Sequence, residues 1–336
     1  MNNQKPRLAV VGAGSMGSNH ARTISRLQGA ELGLIVDSDV DRAKKLASVY
    51  GCSYSNDVSN INTSTVDGVV VASPSHLHYK MTDSLLSSGF GVLVEKPISL
   101  ETDEAEKLIT KSANLGNVLM VGHIELFNPV VRELKKIIGD VAIKSMRFNR
   151  LGYVADTSRL YHDAVLDLMV HDVAIAQKLT NADDKNTTVV SSVGRSDTSF
   201  KPDPIESILT VTNPSSEKII DIHLRASRAY TGGKVRQISV ETENSVIEAD
   251  LLTKVITQKV AGEGRFDVGG GTFVQDVKTA FCTPQENIEP LMMELQHFVD
   301  CLKGESTPDV ESVSGKNGRS VLSVAKAILS QCIIVN

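Results

Sequence analysis

The chain has no tryptophan, and aromatic residues make up only 4% of it. Surfaces that stack nucleic-acid bases need such rings, so this composition argues against one. Cysteine is scarce as well. Cys52, Cys282, Cys301 and Cys332 are scattered without any C-x-x-C spacing. That excludes a recognised zinc or disulfide framework and leaves four reduced, mostly buried thiols. Dense basic clusters are missing, and the formal net charge is −5. Neither nucleic acid nor an anionic membrane is therefore expected as the main partner. No run approaches the roughly 18 apolar residues of a membrane span, and no apolar leader stands at the amino end. The expectation is a soluble, cytoplasmic protein. What is present is ordinary globular composition, 41% hydrophobic and 22% charged over 336 residues. That length suits about two domains.

The most constraining stretch lies at residues 7–37. An apolar run ending at Val11 leads into Gly12-Ala13-Gly14-Ser15-Met16-Gly17, then a helical pattern, then Leu32–Val36 closing on Asp37. A bare G-x-G-x-x-G is weak evidence. Here it has a strand before it, a helix after it, and an acid 20 residues past Gly17, which is the context a dinucleotide site requires. Gly12 permits the tight turn, Gly14 lets the backbone approach a pyrophosphate, and Gly17 allows close helix–strand packing. The helix start offers free N–H groups to phosphates, with Ser15 and Met16 in its first turn. A carboxylate at Asp37 can accept from both ribose hydroxyls and would repel a 2′-phosphate, favouring NAD over NADP. The competing reading is a structural glycine turn in another α/β protein.

The first part of the chain alternates strands and helices. Strands are expected at Leu8–Val11, Leu32–Val36, Gly68–Ala72, Val92–Glu95 and Val118–Val121, with helices at Asp39–Val49, Leu77–Ser88 and Thr102–Asn114. Such alternation predicts a doubly wound parallel sheet, with ligands beyond the carboxyl ends of its strands. Asn128-Pro129 reads as a helix start, running to Ile138. Beyond it the period changes. Ile220, Ile222 and Leu224 alternate with Asp221, His223 and Arg225, a strand with one wet face. Similar runs at Ile205–Val211, Val235–Val240, Val246–Leu251 and Val255–Val260 predict a large, mostly antiparallel open sheet. One face is expected to carry helices and the other to be free for a partner. Two amphipathic helices follow, around Ile288–Leu302 and Val321–Leu329. The expected fold is a Rossmann domain over 1–125 and an α+β domain over 126–336, the last helices packing back on the first domain.

Two places carry proton-handling chemistry. Glu95-Lys96-Pro97 ends a predicted strand, where a lysine faces the cofactor side of the sheet. Such a lysine can hydrogen-bond a substrate hydroxyl or, with burial, relay a proton. The alternative is a lysine simply paired to Glu95. Asp167 and His171 stand four apart in a largely apolar run and share a face if that run is helical. A buried carboxylate and imidazole are costly unless paired or used. The alternatives are a satisfied structural pair, or a metal site with His162 or Asp172. No metal is expected, because no zinc spacing is present. His78 and His123 fall near strand ends and stay as candidates.

Taken together, these residues resemble the glucose–fructose oxidoreductase / inositol dehydrogenase / rhizopine-catabolism (Gfo/Idh/MocA) family. The matching positions are Gly12–Gly17 with His20 beyond it, Asp37, Ser73-Pro74-Ser75-His76-Leu77-His78, Glu95-Lys96-Pro97 and Asp167–His171. The resemblance implies NAD(P)-dependent oxidation of a sugar or polyol hydroxyl, with Lys96, Asp167 and His171 as the catalytic set. It implies that Ser73, Pro74, His78, Glu95 and Lys96 join Gly12, Gly14, Ser15, Met16, Gly17 and Asp37 at the cofactor. It further implies a homodimer or homotetramer built through the open sheet. A narrower likeness, through Val121–Pro129, runs to members that oxidise the 3-hydroxyl of a UDP-N-acetylhexosamine, with His123, Glu125 and Asn128 as substrate contacts. Leu126 departs from that pattern, where arginine is frequent, and Ala174 replaces a frequent acid. The other functional readings are an inositol or simple sugar dehydrogenase, and a cofactor-sensing regulator on the same fold.

Overall fold

The computed structural model describes residues 5–155, 163–195, 203–261, 267–268, 271–272, 275–281 and 288–335, with backbone only for 261–281. The chain divides into two compact units. The first holds residues up to Phe127 together with Ile288–Leu322. The second holds Asn128–Asn287 and Ser323 onward.

In the first unit the strands are β1 (Arg7–Val11), β2 (Glu31–Val36), β3 (Ser53–Ser55), β4 (Gly68–Val71), β5 (Gly91–Glu95) and β6 (Leu119–Gly122). Crossover helices α1 (Ser15–Ile24), α2 (Val40–Tyr50), α3 (His78–Ser87) and α4 (Thr102–Leu115) alternate with them. The sheet order is β3-β2-β1-β4-β5-β6, and every pair is parallel. β1, β4, β5 and β6 are buried along nearly all their length. That is why their sequences are unbroken apolar runs rather than alternating ones. Local chemistry sets the helix ends. Asp39 caps α2 by accepting from the Arg42 N–H at 3.1 Å. Gly51 and Gly116 close α2 and α4 in the left-handed region, at φ 68° and 67°, where a side chain would be strained. Because the chain reverses its winding between β1 and β4, the crevice at their carboxyl ends is the switch point of the sheet.

Helix α7 (Pro290–Leu302) returns to this unit. Its last residue, Leu302, fills the space above Gly68 and Gly91, where an added Cβ would lie 2.5 and 2.3 Å from the leucine methyls. Two strands of the sheet therefore accept the helix only because they carry glycine there.

The second unit opens with α5 (Pro129–Ile138). Asn128 caps it, its Oδ1 accepting from the Val130 N–H at 3.0 Å. Strands β7 (Ile143–Leu151), β8 (Thr187–Arg195), β9 (Ile205–Thr212), β10 (Ile219–Ser227), β11 (Val235–Thr242), β12 (Ser245–Asp250) and β13 (Val255–Ala261) follow. A short hairpin, β14 (Asp267–Val268) with β15 (Gly271–Thr272), precedes β16 (Gln275–Phe281). α6 (Val170–Thr180) lies between β7 and β8, and the helix α8 (Gly315–Ser330) precedes β17 (Cys332–Val335). Nine strands form one sheet in the order β16-β13-β12-β11-β7-β10-β9-β8-β17. It is mixed rather than purely antiparallel, because β7 pairs β10 and β8 pairs β17 in parallel. One face is apolar: Met146, Phe148, Ile222, Leu224, Ile238 and Val240 are all at most 2% exposed. α6 packs on β7, and α5 packs on β12 and β13. The sequence pattern missed β7, β8, β16 and β17. β7 hides its alternation because Arg150 points inward, 3% exposed.

The segment expected to be one regular helix around Asp167 differs. Val165–Met169 form a π-helical turn before α6 begins at Val170. Asp163 starts this segment, its Oδ1 accepting from the N–H groups of Val165 and Leu166 at 2.8 and 2.9 Å. A π turn inserts a residue into the helical ladder, so the simple four-residue facing rule does not carry over from Asp167 to His171.

Candidate active site

The glycine turn sits between β1 and α1. Gly12 has φ +100°, and an added Cβ would meet the Ala72 carbonyl oxygen at 2.6 Å. At Gly17 a Cβ would fall 1.6 Å from the Gly12 oxygen, so helix and turn are in backbone contact. Gly14 is different: nothing lies within 4 Å of its added Cβ. Gly14 is also the N-cap of α1 and carries no side-chain cap. The first N–H groups of α1, starting at Ser15 and Met16, thus have an open approach for an anion.

Asp37 ends β2 beside this turn. Its Oδ2 accepts from the Ala13 N–H at 2.7 Å, and its Oδ1 from the Asp39 N–H at 2.9 Å. The carboxylate is thereby fixed against the glycine turn. The Arg42 guanidinium stands 3.9 Å away and reaches Asp39 at 3.2 Å. A cleft of about 540 Å³ opens here, lined by Gly12, Asp37, Arg42, Ser73, Pro74 and Leu77, among others. An open glycine, an uncapped helix start and an anchored acid in one cleft fit a nicotinamide dinucleotide.

Ser73 and Pro74 follow β4, ahead of a short turn, Ser75–Leu77. His78 starts α3 and is 1% exposed. Its Nδ1 lies 2.7 Å from the Pro97 carbonyl oxygen and its Nε2 2.9 Å from that of Ser73. It ties the two loops at the strand ends together. Burial pushes its pKa below the ordinary histidine value, against the two carbonyl bonds that raise it.

Glu95 ends β5 and Lys96 follows it, and the Lys96–Pro97 bond is cis. Glu95 accepts from the His20 Nε2–H at 2.7 Å. Burial raises the Glu95 carboxyl, but the His20 bond and the charges of His20, Lys96 and His78 outweigh it, and the net shift is downward. Glu95 therefore stays ionised beside Lys96. His123 follows β6 and is 2% exposed. Burial, then the Lys96 charge, pushes its pKa down to about 4, so it is a neutral imidazole at physiological pH. Glu125 lies in the turn Ile124–Phe127, half-buried. Leu126 is 1% exposed, a core side chain.

Asp167 and His171 belong to the second unit, in the π turn and the first turn of α6. Sequence reasoning missed the arginines that hold this segment. Arg228, whose side chain is 4% exposed, bonds Asp203 at 2.8 Å and Asp167 at 3.4 Å. The Arg228 N–H also donates to Asp203. Arg150 donates its Nε–H to Asp172, the neighbour of His171, at 2.9 Å, and its Nη2 forms an ion pair with the same oxygen at 2.8 Å. Charges this deeply buried persist because each is paired and hydrogen-bonded. Asp172 is thus engaged by arginine, while His162 lies outside the described residues, as does Cys282. Glu294, 0% exposed on α7, was also missed. Its signal was present as a single acid on the apolar stripe Leu291, Leu295, Phe298.

A parallel sheet that opens its switch point onto a glycine turn, with an anchored acid one strand over, is the build of a dinucleotide-dependent oxidoreductase. Residues 6–123 match the model of the Gfo/Idh/MocA oxidoreductase family, an NAD-binding Rossmann fold. Through these residues the chain resembles that family. The UDP-N-acetylglucosamine 3-dehydrogenase of Acidithiobacillus ferrooxidans is 28% identical over 310 residues, covering 92% of this chain and 93% of that protein. The scyllo-inositol 2-dehydrogenase (NAD(+)) of Bacillus subtilis is 26% identical over 319 residues, covering 91% and 89%. A solved structure of the Acidithiobacillus enzyme has a TM-score of 0.83 at 22% identity, over 98% of both chains. The fold is therefore shared along the whole length. Among the described residues no helix is long and apolar enough to cross a membrane.

Proposed function

We propose that the protein oxidises a secondary hydroxyl of a sugar or nucleotide sugar, or reduces the matching ketone, with NAD as its cofactor. The observation that carries the cofactor reading is Asp37, fixed by two backbone N–H groups inside the cleft beside Gly12–Gly17. The adenosine ribose would lie on that carboxylate and the pyrophosphate over Gly14, Ser15 and Met16. Ser73, Pro74 and Lys96, at the ends of β4 and β5, would border the rest of the dinucleotide, with His78 and Glu95 holding those ends in shape. A nicotinamide held there supplies the hydride acceptor.

The chain's own residues handle the proton. In this reading the hydroxyl proton passes to His171 or Lys96 while the carbinol C–H bond breaks, leaving a ketone. Asp167, paired with Arg228, joins them through the family likeness, and the Lys96 ammonium steadies the oxygen as its negative charge develops. His123, Glu125 and Asn128 are assigned to the substrate side only through likeness. The burial of His123 and the capping role of Asn128 make them supports of that region. The apolar outer residues Val190, Ile208 and Ile219, 56%, 37% and 66% exposed, support a homo-oligomer formed through the nine-stranded sheet.

The relative whose name specifies a UDP-sugar supports that substrate class. A second reading, a free polyol or simple sugar, is favoured by Leu126, which is buried and offers no cation to a diphosphate. One screen tests both. UDP-hexosamines and free polyols are offered with NAD⁺ and NADP⁺, following reduced-nicotinamide absorbance. Turnover of a UDP-sugar with NAD⁺ is expected. Turnover of inositols alone selects the second reading, and silence toward every CH–OH donor overturns both.

A further inference from the structure

Helix α1 carries a histidine where its packing pattern calls for an apolar side chain. Gly17, His20, Ala21 and Ile24 form its buried stripe, at the spacing of one helix face. Gly17 meets the glycine turn, and His20 follows about one turn later, 0% exposed. A polar ring buried there is costly unless it is bonded. Its partner is Glu95 at the end of β5, with Nε2 and Oε1 2.7 Å apart. The pair is almost wholly enclosed, its side chains 0% and 12% exposed. An ionised carboxylate only accepts, so Nε2 carries the proton of this bond. The other oxygen, Oε2, accepts from the Lys96 backbone N–H at 3.3 Å. Room for the carboxylate comes from Gly122, which pairs with Glu95 in the sheet. A Cβ at Gly122 would lie 3.1 Å from Oε2. On the far side of Lys96, the Pro97 carbonyl oxygen lies 2.7 Å from Nδ1 of His78. Each residue flanking Lys96 is therefore bonded to a buried histidine, and the two histidines come from different crossover helices.

We infer that His20 is a positioning residue for Lys96: through Glu95 it ties the peptide of the lysine to the helix that begins at the glycine turn. The link has two bonds, His20 to Glu95 and Glu95 to the Lys96 N–H. From Ser15, at the phosphate-facing start of α1, to His20 is about 7.5 Å along a continuous helix. The seat of the pyrophosphate and the peptide of the lysine are thus braced against each other. The His20 bond, with the charges of His20, Lys96 and His78, outweighs the burial of Glu95 and keeps its carboxyl below the usual range. In that state both of its oxygens accept. If the pair only filled space, well-packed apolar side chains would serve as well or better. A group that handles a proton has a stricter need, because a misplacement of about 1 Å can cost about a hundred-fold in rate.

This role rests on the reading of Lys96 as a proton-handling residue, and the test separates the two. It compares two amides. His20→Gln brings an amide N–H to about the place of Nε2, and His20→Asn carries the same group one methylene short of it. kcat is measured with NAD⁺ and the CH–OH donor that the screen selects, beside titration with NADH. His20→Gln should keep kcat within about three-fold of wild type, and His20→Asn should lose about ten- to a hundred-fold. NADH affinity should stay within about three-fold in both, which also reports that the first unit is folded. Gly122→Ala crowds the same carboxylate and leaves His20 untouched, so it is a second perturbation that should lower kcat in the same sense. In a Lys96→Met background, His20→Asn and Gly122→Ala should each change the residual rate by less than about two-fold, because both act through the lysine. Equal kcat for the two amides would overturn the inference. So would losses that persist in full beside Lys96→Met, or a His20→Asn loss confined to NADH affinity. Turnover kept by Lys96→Met alone refutes the Lys96 reading instead, whatever the amides do.

Discussion

Replacing Asp37 with alanine should change which cofactor the protein prefers, and the size of the effect can be worked from the geometry. The carboxylate is held by the Ala13 and Asp39 N–H groups and keeps lone pairs to accept from two ribose hydroxyls. Hydrogen bonds to a charged acceptor contribute about 1.5–3 kcal/mol each. Losing two costs about 3 kcal/mol at the low end, or about a hundred-fold in Kd at 1.4 kcal/mol per decade. Some further loss follows because the Ala13 N–H, on a residue 6% exposed, is left without its acceptor. NADP⁺ should behave in the opposite sense. Its 2′-phosphate no longer meets a carboxylate, and Arg42, now 3.9 Å from Asp37, is released to pair with it. Asp37→Asn is the companion variant, because it keeps an acceptor for Ala13 while removing the charge. The assay is titration of each variant with NADH and NADPH, following nicotinamide fluorescence or heat. A change below about five-fold in NADH affinity would refute the ribose assignment. So would a parallel loss for both cofactors.

Four further outcomes are expected. Lys96→Met and His171→Ala should each lose about 10²–10⁴-fold in kcat, with NADH affinity kept, as measured by steady-state rates beside titration. Gly17→Ala should abolish cofactor binding and lower the thermal midpoint, because its Cβ would fall 1.6 Å from the Gly12 oxygen; binding at wild-type strength would contradict the packing. Arg150→Met should cost about 3–5 kcal/mol in denaturant unfolding, because it leaves the Asp172 carboxylate buried without its arginine. His123 has an unfolded pKa near 6.5 and a folded one of about 4, so its contribution is intact above 6.5 and lost as pH falls toward 4. It should account for about 3 kcal/mol of acid destabilisation. His123→Gln should flatten the fall in stability between those pH values, and an unchanged slope would argue against a neutral buried ring.

Much of the first unit was legible because its strands are buried on both faces. Leu8–Val11 and Val69–Val71 read as strands from composition alone, and the glycine turn and Asp37 follow from fixed spacing. The three-residue β3, Ser53–Ser55, carries no apolar run and was invisible. The second unit was legible where strands alternate cleanly, as at Ile220–Leu224. It failed at β7, where Arg150 occupies an inward position that the pattern reserves for an apolar side chain. It failed at β8, whose inward residues include Ser192 and Gly194. The spacing of Asp167 and His171 predicted one regular helix, but the π turn at Val165–Met169 depends on tertiary packing that no local pattern encodes. The partners Arg228 and Asp203 lie far from it in sequence. A period reveals which face a residue occupies, not what awaits it there.

The Arg150–Asp172 pair also bears on how this scaffold tolerates redesign. It rivets the imidazole-bearing helix to a central strand, one residue from His171 itself. Loops around the ring can thus be lengthened or exchanged for a new substrate while the ring keeps its height above the sheet. Whoever wishes to re-aim that ring must work on the strand beneath, because the helix takes its bearing from there.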